Sequence, residues 1–327
     1  MEKIRIAIIG YGNIGRAVEE EISFAPDMDL CGVFTRRNPA SVRRGGGKVN
    51  VLPIDEAEKS VEEIDVALLC GGSATDLPEQ GPYFAELFNT VDSYDTHARI
   101  PEYFSAMDAA ARKSGKTAVI STGWDPGLFS LMRVLGESVL PRGQNYTFWG
   151  PGVSQGHSDA LRRVEGVVDA RQYTIPVESA LERVRSGEEP ELTPGEKHLR
   201  DCYVVPEEGA DLARIEETIL AMPYYFAEYE TRVTFITAEE MQKKHDAMPH
   251  GGLVFRSART ADRSRHLIEF KLKLESNPHF TASVMVAYAR AAYRLNREGL
   301  RGARTVFDIP VSYLTTRTME DLLKHEL

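Results

Sequence analysis

The stretch Ile4-Arg5-Ile6-Ala7-Ile8-Ile9-Gly10-Tyr11-Gly12-Asn13-Ile14-Gly15 decides the fold class of this chain. Residues 4–9 are apolar and rich in β-branched side chains, which predicts a strand, and residues 16–23 have the pattern of a helix. A G-x-G-x-x-G sequence between a strand and a helix is typical of a dinucleotide-binding unit. Gly10 permits the tight turn, Gly12 lets the backbone approach a pyrophosphate, and Gly15 allows close helix packing. A plain glycine turn is the alternative interpretation.

Strands continue to alternate with helices as far as residue 121. Further strands are expected at residues 30–35, 49–53, 64–70, 90–94 and 117–121, with a helix at residues 101–114. This alternation predicts an α/β fold, a Rossmann domain with a doubly wound parallel sheet. We place the dinucleotide-binding domain at residues 1–121 and expect the C-terminal segment 301–327 to complete it.

After about residue 123 the strands lose their regular crossover helices. Strands are expected at residues 146–149, 168–175, 199–205, 231–237, 253–258 and 267–274, with long helices at 211–222 and 281–297. In the last strand, apolar residues at 268, 270, 272 and 274 alternate with a largely charged set, as in a sheet with one covered face. The pattern predicts a second α+β domain, on a mixed or antiparallel sheet, over residues 122–300.

The composition excludes several classes of protein. With 327 residues the chain has room for two domains. No apolar run approaches the roughly 20 residues that span a bilayer, and no export signal follows Met1, so a cytoplasmic location is expected. The 49 acidic residues outnumber the 39 basic ones, which disfavours a nucleic-acid partner. Cys31, Cys70 and Cys202 lack metal-ligand or redox spacing, so no metal and no disulfide is expected, and the first two are expected to be buried.

The cofactor is predicted from the residues that end the second strand. An enzyme that prefers NAD would place an acidic residue about 20 positions beyond the glycine loop, to bind the ribose 2′-hydroxyl. Here the strand ends in Thr35-Arg36-Arg37, whose guanidinium groups suit a 2′-phosphate, and we infer NADP. A solvated basic pair is the alternative interpretation.

A second glycine cluster, Cys70-Gly71-Gly72-Ser73-Ala74-Thr75-Asp76, follows the fourth strand, at the sheet edge where such folds bind ligands, although an ordinary loop would look similar. The predicted cofactor-binding residues come from the two glycine clusters and the strand end between them. They are Gly10, Tyr11, Gly12, Asn13, Ile14, Gly15, Thr35, Arg36, Arg37, Cys70, Gly71, Gly72, Ser73, Ala74 and Thr75.

Two aspartates, Asp95 and Asp125, each follow a predicted parallel strand. Paired carboxylates beside a carbon that bears an amine would hold the ammonium group and receive a proton as the nitrogen becomes an imine. Helix capping or an Asx-turn is the alternative for Asp125, which precedes Pro126. Asp92 competes for the role given to Asp95.

These residues resemble those of the meso-diaminopimelate dehydrogenase family. The resemblance covers essentially the whole chain, and its most specific part is Thr147-Phe148-Trp149-Gly150-Pro151-Gly152-Val153-Ser154-Gln155-Gly156-His157-Ser158-Asp159-Ala160-Leu161-Arg162-Arg163. Further shared motifs are the glycine loop, the Thr35-Arg36-Arg37 strand end, and residues 72–76, 93–95, 122–127, 172–174, 248–252, 277–278 and 280–283.

The resemblance implies reversible oxidative deamination of meso-2,6-diaminopimelate at its D-centre, with hydride passing to NADP⁺ and release of L-2-amino-6-oxopimelate and ammonia. It implies that Asp95 and Asp125 hold the reacting amine, and that residues 122–300 bind substrate and form a homodimer. Trp124 and Trp149 would shape the pocket, and Gln155, Gly156 and Asp159 would line its reacting end. Thr174, Arg200, His250 and Asn277 would bind the distant L-centre.

Other interpretations stay open at this point. His250 alone is more often structural, Asn277 before Pro278 is an ordinary turn, and His157 near Asp159 fits a helix start as well as a proton relay. Another Rossmann dehydrogenase or reductase of amino-acid metabolism would share the glycine loop without needing the paired aspartates. A non-catalytic NADP-sensing protein would keep Arg36 and Arg37 but not the polar residues of the second half.

Overall fold

A computed structural model describes residues 3–42, 50–261 and 264–327. The strands of these residues are β1 (Ile4–Ile9), β2 (Met28–Thr35), β3 (Val51–Pro53), β4 (Val66–Leu69), β5 (Asn89–Asp92), β6 (Thr117–Val119), β7 (Gly143–Trp149), β8 (Gly152–Val153), β9 (Val167–Pro176), β10 (His198–Pro206), β11 (Thr231–Phe235), β12 (His250–Thr260), β13 (Ser264–Leu274) and β14 (Gly302–Arg304). The α-helices are α1 (Asn13–Ser23), α2 (Leu77–Ala85), α3 (Ile100–Ser114), α4 (Leu128–Val139), α5 (Gln155–Arg162), α6 (Glu178–Arg185), α7 (Pro194–Lys197), α8 (Leu212–Leu220), α9 (Ala238–Lys244), α10 (Asn277–Arg297) and α11 (Met319–Glu326).

The chain divides into two compact units. The first consists of Met1–Leu131 with Pro278–Leu327, and the second of Met132–Asn277. The first unit therefore takes in nearly all of α10, whereas the sequence placed the return to the first domain at residue 301. The amphipathic pattern of a helix does not tell which sheet the helix covers, and here α10 contributes Ala282, Met285 and Ala289 to the hydrophobic cluster of β1.

The first unit is built on a seven-stranded parallel sheet in the order β14-β6-β5-β4-β1-β2-β3, which confirms the predicted doubly wound fold. Successive β1 side chains point to opposite faces, so Ile6 and Ile8 join one hydrophobic cluster and Ala7 and Ile9 join the other. The strand order reverses beside β1, and open sheets of this kind bind ligands at the carboxyl ends of the strands next to such a reversal.

The first unit differs from the sequence-based expectation in its helices and strand ends. Helix α2 was not expected, because Pro78, Gly81 and Pro82 look like turn residues. Gly81 has a packing role instead, since a Cβ at this position would collide with the Tyr103 hydroxyl. The expected strand at residues 49–53 begins at Val51, and residue 49 lies outside the described residues.

The prediction that Cys31 is buried is wrong. Its thiol is exposed, because β3 pairs only with Val33–Thr35 and leaves the first half of β2 at the sheet edge. Cys70 is buried as predicted, Cys202 is also buried, and all three thiols are free.

The second unit contains two sheets. The first, β11-β10-β9-β8, is mixed, because β10 pairs in parallel with β11 but antiparallel with β9. The second, β13-β12-β7, is antiparallel, and its edge strand β13 has the expected alternation. The charged side of β13 is exposed as expected, but its apolar side is only partly covered, and Ile268 is 39% exposed.

Two further properties of the described residues bear on function. In residues 3–42, 50–261 and 264–327, no helix combines the length and the apolar character needed to cross a membrane. The same residues contain no group of three or more His, Cys, Asp or Glu side chains that could hold a metal ion.

Candidate active site and cofactor cavity

The glycine loop of the first unit follows β1 and leads into α1. Gly10 has a φ of 93°, which favours glycine, and a Cβ at Gly15 would collide with the Gly10 carbonyl oxygen. A Cβ at Gly12 would meet nothing within 4 Å, so the backbone there borders open space. The first turn of α1 has no side-chain cap and no acidic residue, so its N–H groups and partial positive charge are available to an anion.

A cavity of about 240 Å³ lies beside this loop. Most of its lining was predicted from the sequence, namely Gly10, Tyr11, Gly12, Thr35, Arg36, Arg37, Cys70, Gly71 and Gly72. Asp76, the last residue of the second glycine cluster, completes the lining with Ile54 and Gln80, which carried no sequence signal because they arrive on separate elements. The cavity thus combines a glycine loop with two guanidinium groups, which fits a dinucleotide that carries a 2′-phosphate.

The two arginines of the cavity have different neighbours. Arg36 Nη2 lies 2.5 Å from Asp76 Oδ1, and Arg37 donates a hydrogen bond to the Tyr11 carbonyl oxygen. Burial raises the pKa of Asp76, but the hydrogen bond from Gly72 N and the guanidinium of Arg36 outweigh it and hold that pKa below its ordinary value. The Asp76 carboxylate therefore stays ionised and orients Arg36.

Six of the predicted cofactor residues do not line the cavity. Gly15 instead lets α1 pack closely against the loop. Ser73 accepts a hydrogen bond of 2.9 Å from the backbone N–H of Asp95, and so links the second glycine cluster to the aspartate loop. The others lie in the first turn of α1 or just before α2, namely Asn13, Ile14, Ala74 and Thr75.

The three aspartates at the ends of β5 and β6 differ in exposure. Asp95 is exposed on the loop after β5, and Asp125 is partly buried on the loop after β6. Asp92 is fully buried, and both of its carboxylate oxygens accept hydrogen bonds from protein groups. Asp92 therefore does not present its carboxylate to a ligand, whereas Asp95 and Asp125 remain the candidates for that role. Trp124, next to Asp125, is buried with its ring edge-on to Phe129 at 5.2 Å.

In the second unit, Trp149 ends β7 and is held by His198. The Trp149 backbone N–H donates to His198 Nε2 over 2.9 Å, and the two rings stack at 5.4 Å. Burial, together with the charge of Arg200, lowers the pKa of His198 to about 3, so the imidazole is neutral and its Nε2 accepts. The sequence did not single out His198, although a His-x-Arg spacing on a strand places His198 and Arg200 on one face.

Arg200 is a buried cation without a carboxylate partner among the residues that the structure describes. Its Nη1 donates to the Thr174 hydroxyl over 2.5 Å, and its guanidinium carbon lies 4.0 Å from the centre of the Tyr229 ring. Its Nε is buried without a hydrogen-bond partner. A buried guanidinium with a donor to spare is suited to an anion. Tyr229 carried no sequence signal, because it reaches Arg200 from the loop before β11.

The remaining predicted residues of this unit converge through close backbone contacts. Val153 N donates to Pro249 O over 2.9 Å, and Asn277 N donates to Met248 O over 3.1 Å. A Cβ at Gly152 would lie 2.4 Å from the His250 Cα, so only glycine lets β8 approach His250. The Gln155 amide lies 3.3 Å from the Met248 sulfur.

Gly156 and Asp159 are exposed on α5, where Asp159 pairs with Arg162. His157 bonds to the Ser154 hydroxyl at 2.7 Å and packs on Tyr225. Burial and the charge of Arg200 lower the pKa of His157 to about 4. The partners of Asp159 and His157 in the described structure are thus different, which favours the helix-start interpretation over a relay between them.

Known proteins are similar to this chain over its whole length. Residues 123–276 match the family model of the diaminopimelic acid dehydrogenase C-terminal domain. The chain is 61% identical over 327 residues to the meso-diaminopimelate D-dehydrogenase of Ureibacillus thermosphaericus, with 100% of both covered. The structure of the Corynebacterium glutamicum DAP dehydrogenase in complex with DAP matches with a TM-score of 0.92 at 46% identity, covering 100% of both chains. An engineered D-amino acid dehydrogenase bound to NADP⁺ matches with a TM-score of 0.87 at 45% identity, covering 99% of this chain and 100% of the other.

Proposed function

This chain belongs to the meso-diaminopimelate dehydrogenase family, and from that premise we infer that it catalyses the reversible, NADP-dependent oxidative deamination of meso-2,6-diaminopimelate. Oxidation at the D-centre gives L-2-amino-6-oxopimelate and ammonia, a step of diaminopimelate and lysine biosynthesis. The resemblance noted in the sequence is confirmed, and the enzyme is an oxidoreductase that acts on a CH–NH₂ group.

The cofactor is NADP, the form bound by the engineered D-amino acid dehydrogenase of the same fold. When bound, it supplies the acceptor for the hydride that leaves the substrate carbon. The open backbone at Gly12 and the uncapped start of α1 suit its pyrophosphate. Arg36 and Arg37 line the same cavity and suit its 2′-phosphate.

Asp95 and Asp125 are proposed to serve the reacting amine. As the C–H electron pair leaves as hydride, the nitrogen must lose a proton to become an imine, which water then hydrolyses to ammonia and the oxo product. Two carboxylates suit both stages, because they bind the ammonium group and offer oxygens to its protons. The exposure of Asp95 and the partial exposure of Asp125 support this role.

The observation that carries the proposal is the buried, carboxylate-free guanidinium of Arg200, in the part of the chain that the structure describes. A diaminopimelate molecule has a second carboxylate far from the reacting carbon, and a buried arginine with an unused Nε suits it. Thr174 bonds to that guanidinium and Tyr229 covers one side of it, so its orientation is preset. His250 and Asn277 are proposed to bind the L-amino group next to that second carboxylate. Residues 248–250 connect the two, because Asn277 N donates to Met248 O, and Val153 N donates to Pro249 O beside His250.

The direct test is the reduction of NADP⁺ after addition of meso-diaminopimelate to the purified chain. We expect one equivalent of ammonia for each NADPH formed, and no reaction with L,L-diaminopimelate, which lacks a D-centre. Binding of NADP⁺ without reduction would favour the sensor alternative. Reduction with a different amino-acid-pathway substrate, and none with meso-diaminopimelate, would favour another dehydrogenase.

We also propose a homodimer and a cytoplasmic location. The dimer is supported by apolar side chains left uncovered in the second unit, among them Leu135, Leu267 and Ile268, which are 56%, 39% and 39% exposed. The location is supported by the kind of reaction, because a biosynthetic dehydrogenase needs access to the NADP and amino-acid pools of the cell.

A further inference from the structure

Asp92 is a buried carboxylate at the end of β5, and its hydrogen bonds all go to neutral groups. Its Oδ1 accepts from Tyr94 N at 2.9 Å and from Ser121 N at 3.0 Å, and its Oδ2 accepts from the Tyr103 hydroxyl at 2.8 Å. Its backbone carbonyl accepts from both the N–H and the hydroxyl of Thr122, at 2.8 and 2.9 Å. In the described part of the chain no cation offsets its charge, and burial raises its pKa to about 6.

The partners of Asp92 belong to the two loops that carry the substrate aspartates. Tyr94 directly precedes Asp95, and Ser121 and Thr122 open the loop that leads to Asp125. One carboxylate oxygen, Oδ1, thus bonds to a backbone N–H of each loop. Because both bonds end on the same atom, a shift of either loop disturbs the acceptor that the other loop uses.

The backbone at Ser121 gives this link a second basis. Ser121 has a φ of 57°, the left-handed region that non-glycine residues seldom occupy, and such a conformation persists only where the surroundings fix it. The bond from its N–H to Asp92 is a contact that fixes it. Tyr103 in turn braces Asp92, because its ring stacks on Tyr94 with the centroids 4.0 Å apart while its hydroxyl holds Oδ2.

We propose that Asp92 is a positioning residue, whose carboxylate holds the Asp95 loop and the Asp125 loop in one arrangement for the reacting amine. The proposal rests on the function inferred above for Asp95 and Asp125. Asp92 does not itself meet the substrate, because it is 0% exposed and both oxygens are occupied. It acts by fixing the positions of the Asp95 and Asp125 carboxylates. Both must reach the same nitrogen, so their placement governs the rate as strongly as their chemistry does.

The chain offers a matched control on the same strand. Asn89, at the other end of β5, is 7% exposed and also bridges neighbouring strands: its amide donates to Asp65 O at 2.8 Å, and its side-chain oxygen accepts from Thr117 N at 3.0 Å. Its partners lie at the amino ends of the strands, away from the aspartate loops. Removal of its bridge costs stability without touching either loop.

The experiment begins with the unaltered enzyme, which must reduce NADP⁺ with meso-diaminopimelate. Absence of that reaction would contradict the proposed function, and the Asp92 proposal with it. For Asp92→Ala we expect kcat/KM for diaminopimelate, per folded molecule, to fall on the order of 10²-fold, while the Kd for NADP⁺ stays within about threefold. For Asn89→Ala we expect a loss of Tm similar to that of Asp92→Ala, but a kcat/KM within about threefold of the unaltered enzyme.

Asp92→Asn separates position from charge. The amide keeps an oxygen that accepts from Tyr94 N and Ser121 N, so we expect kcat/KM to recover to within about fivefold of the unaltered enzyme. An Asn variant as impaired as the Ala variant would overturn the proposal, because charge and not position would then matter. Normal kcat/KM in a folded Asp92→Ala enzyme would overturn it as well.

Tyr103→Phe keeps the proposal testable where Asp92→Ala does not fold. It removes only the bond that braces Oδ2, and we expect kcat/KM to fall about tenfold with the Kd for NADP⁺ unchanged. Unchanged kcat/KM in that variant would overturn the proposal.

Discussion

Arg36 pairs with Asp76 at the edge of the cofactor cavity, with Nη2 2.5 Å from Oδ1. The cation that suits the 2′-phosphate is therefore already oriented by a carboxylate of the second glycine cluster. The same pairing would place a negative charge near a bound 2′-phosphate, so the discrimination between NADP and NAD has to come from the two guanidinium groups together. That requirement leads to the first prediction.

Substitution of both Arg36 and Arg37 by Ala should weaken the binding of NADP⁺ far more than the binding of NAD⁺. Each lost charge-assisted bond is worth roughly 1.5–3 kcal/mol, and only NADP⁺ carries the 2′-phosphate that accepts it. Titration calorimetry with both dinucleotides measures the difference. Arg112→Ala on α3 is the matched control and should alter neither affinity. Equal losses for the two dinucleotides would contradict the assignment of the arginines.

Asp125→Asn should lower kcat on the order of 10²-fold or more with little change in Tm, because the amide keeps the size of the side chain but cannot take a proton or bind an ammonium as a carboxylate does. The same is expected of Asp95→Asn. The measurement is turnover at saturating substrate beside thermal unfolding. If Asp125 only caps a turn, Asn should serve nearly as well, and near-normal turnover in both variants would refute the paired-carboxylate mechanism.

Arg200→Met should raise the KM for diaminopimelate while leaving the Kd for NADP⁺ unchanged. The substitution removes the buried guanidinium but keeps an apolar stem against Tyr229. Arg232→Met is a control from the adjacent strand, since that arginine is 64% exposed and pairs with Glu230. A KM that is the same in the Arg200 variant and the unaltered enzyme would return Arg200 to a structural role.

Acid should destabilise the enzyme partly through His198. Its pKa is 6.5 in the unfolded chain and about 3 when folded, so between these values the unfolded state binds more protons. The contribution of neutral His198 to the free energy of unfolding is therefore fully present above pH 6.5. It decreases as the pH falls, by about 2 kcal/mol at a pH of about 5. His198→Gln, whose side-chain oxygen can accept from Trp149 N, should flatten the fall of Tm over this range.

His325→Gln on α11 controls for the loss of a histidine and should keep the steep pH dependence of the unaltered enzyme, because that side chain is exposed. His157 is still present in the His198→Gln variant and contributes in the same direction to every variant. Parallel Tm curves for the unaltered and His198→Gln enzymes would show that the neutral imidazole of His198 is not a source of acid sensitivity.

Ile268→Glu combined with Leu135→Glu should convert a dimer into a monomer. A charge at a surface buried by association costs the desolvation of a carboxylate, whereas the same charge on a free surface costs little. Light scattering at several protein concentrations gives the mass. Phe24→Glu is the control, because Phe24 is 78% exposed in the first unit. A monomeric unaltered enzyme would contradict the proposed homodimer.

The sequence predicted those features that neighbouring residues decide. The turn at Gly10, the close packing at Gly15 and the basic strand end at Thr35-Arg36-Arg37 depend on residues a few positions apart, and the structure has them in the same cavity or loop. The alternation of side chains on β1 likewise fixes which residues face each side of the sheet. Where the local pattern was ambiguous, prediction failed, as for α2 with its prolines and for Cys31 on a strand whose neighbour is short.

Only the tertiary structure decided which of several plausible residues share a site. Asp92 and Asp95 look alike in the sequence, yet Asp92 ends β5 and is buried, whereas Asp95 lies on the loop after that strand and is exposed. His198 is joined to Trp149 across 49 positions, and Tyr229 reaches Arg200 only because β11 pairs with β10. Local propensity acts over a few bonds of the chain, whereas these contacts exist only after strands far apart in sequence have paired, and no pattern of neighbouring letters encodes which strands those are.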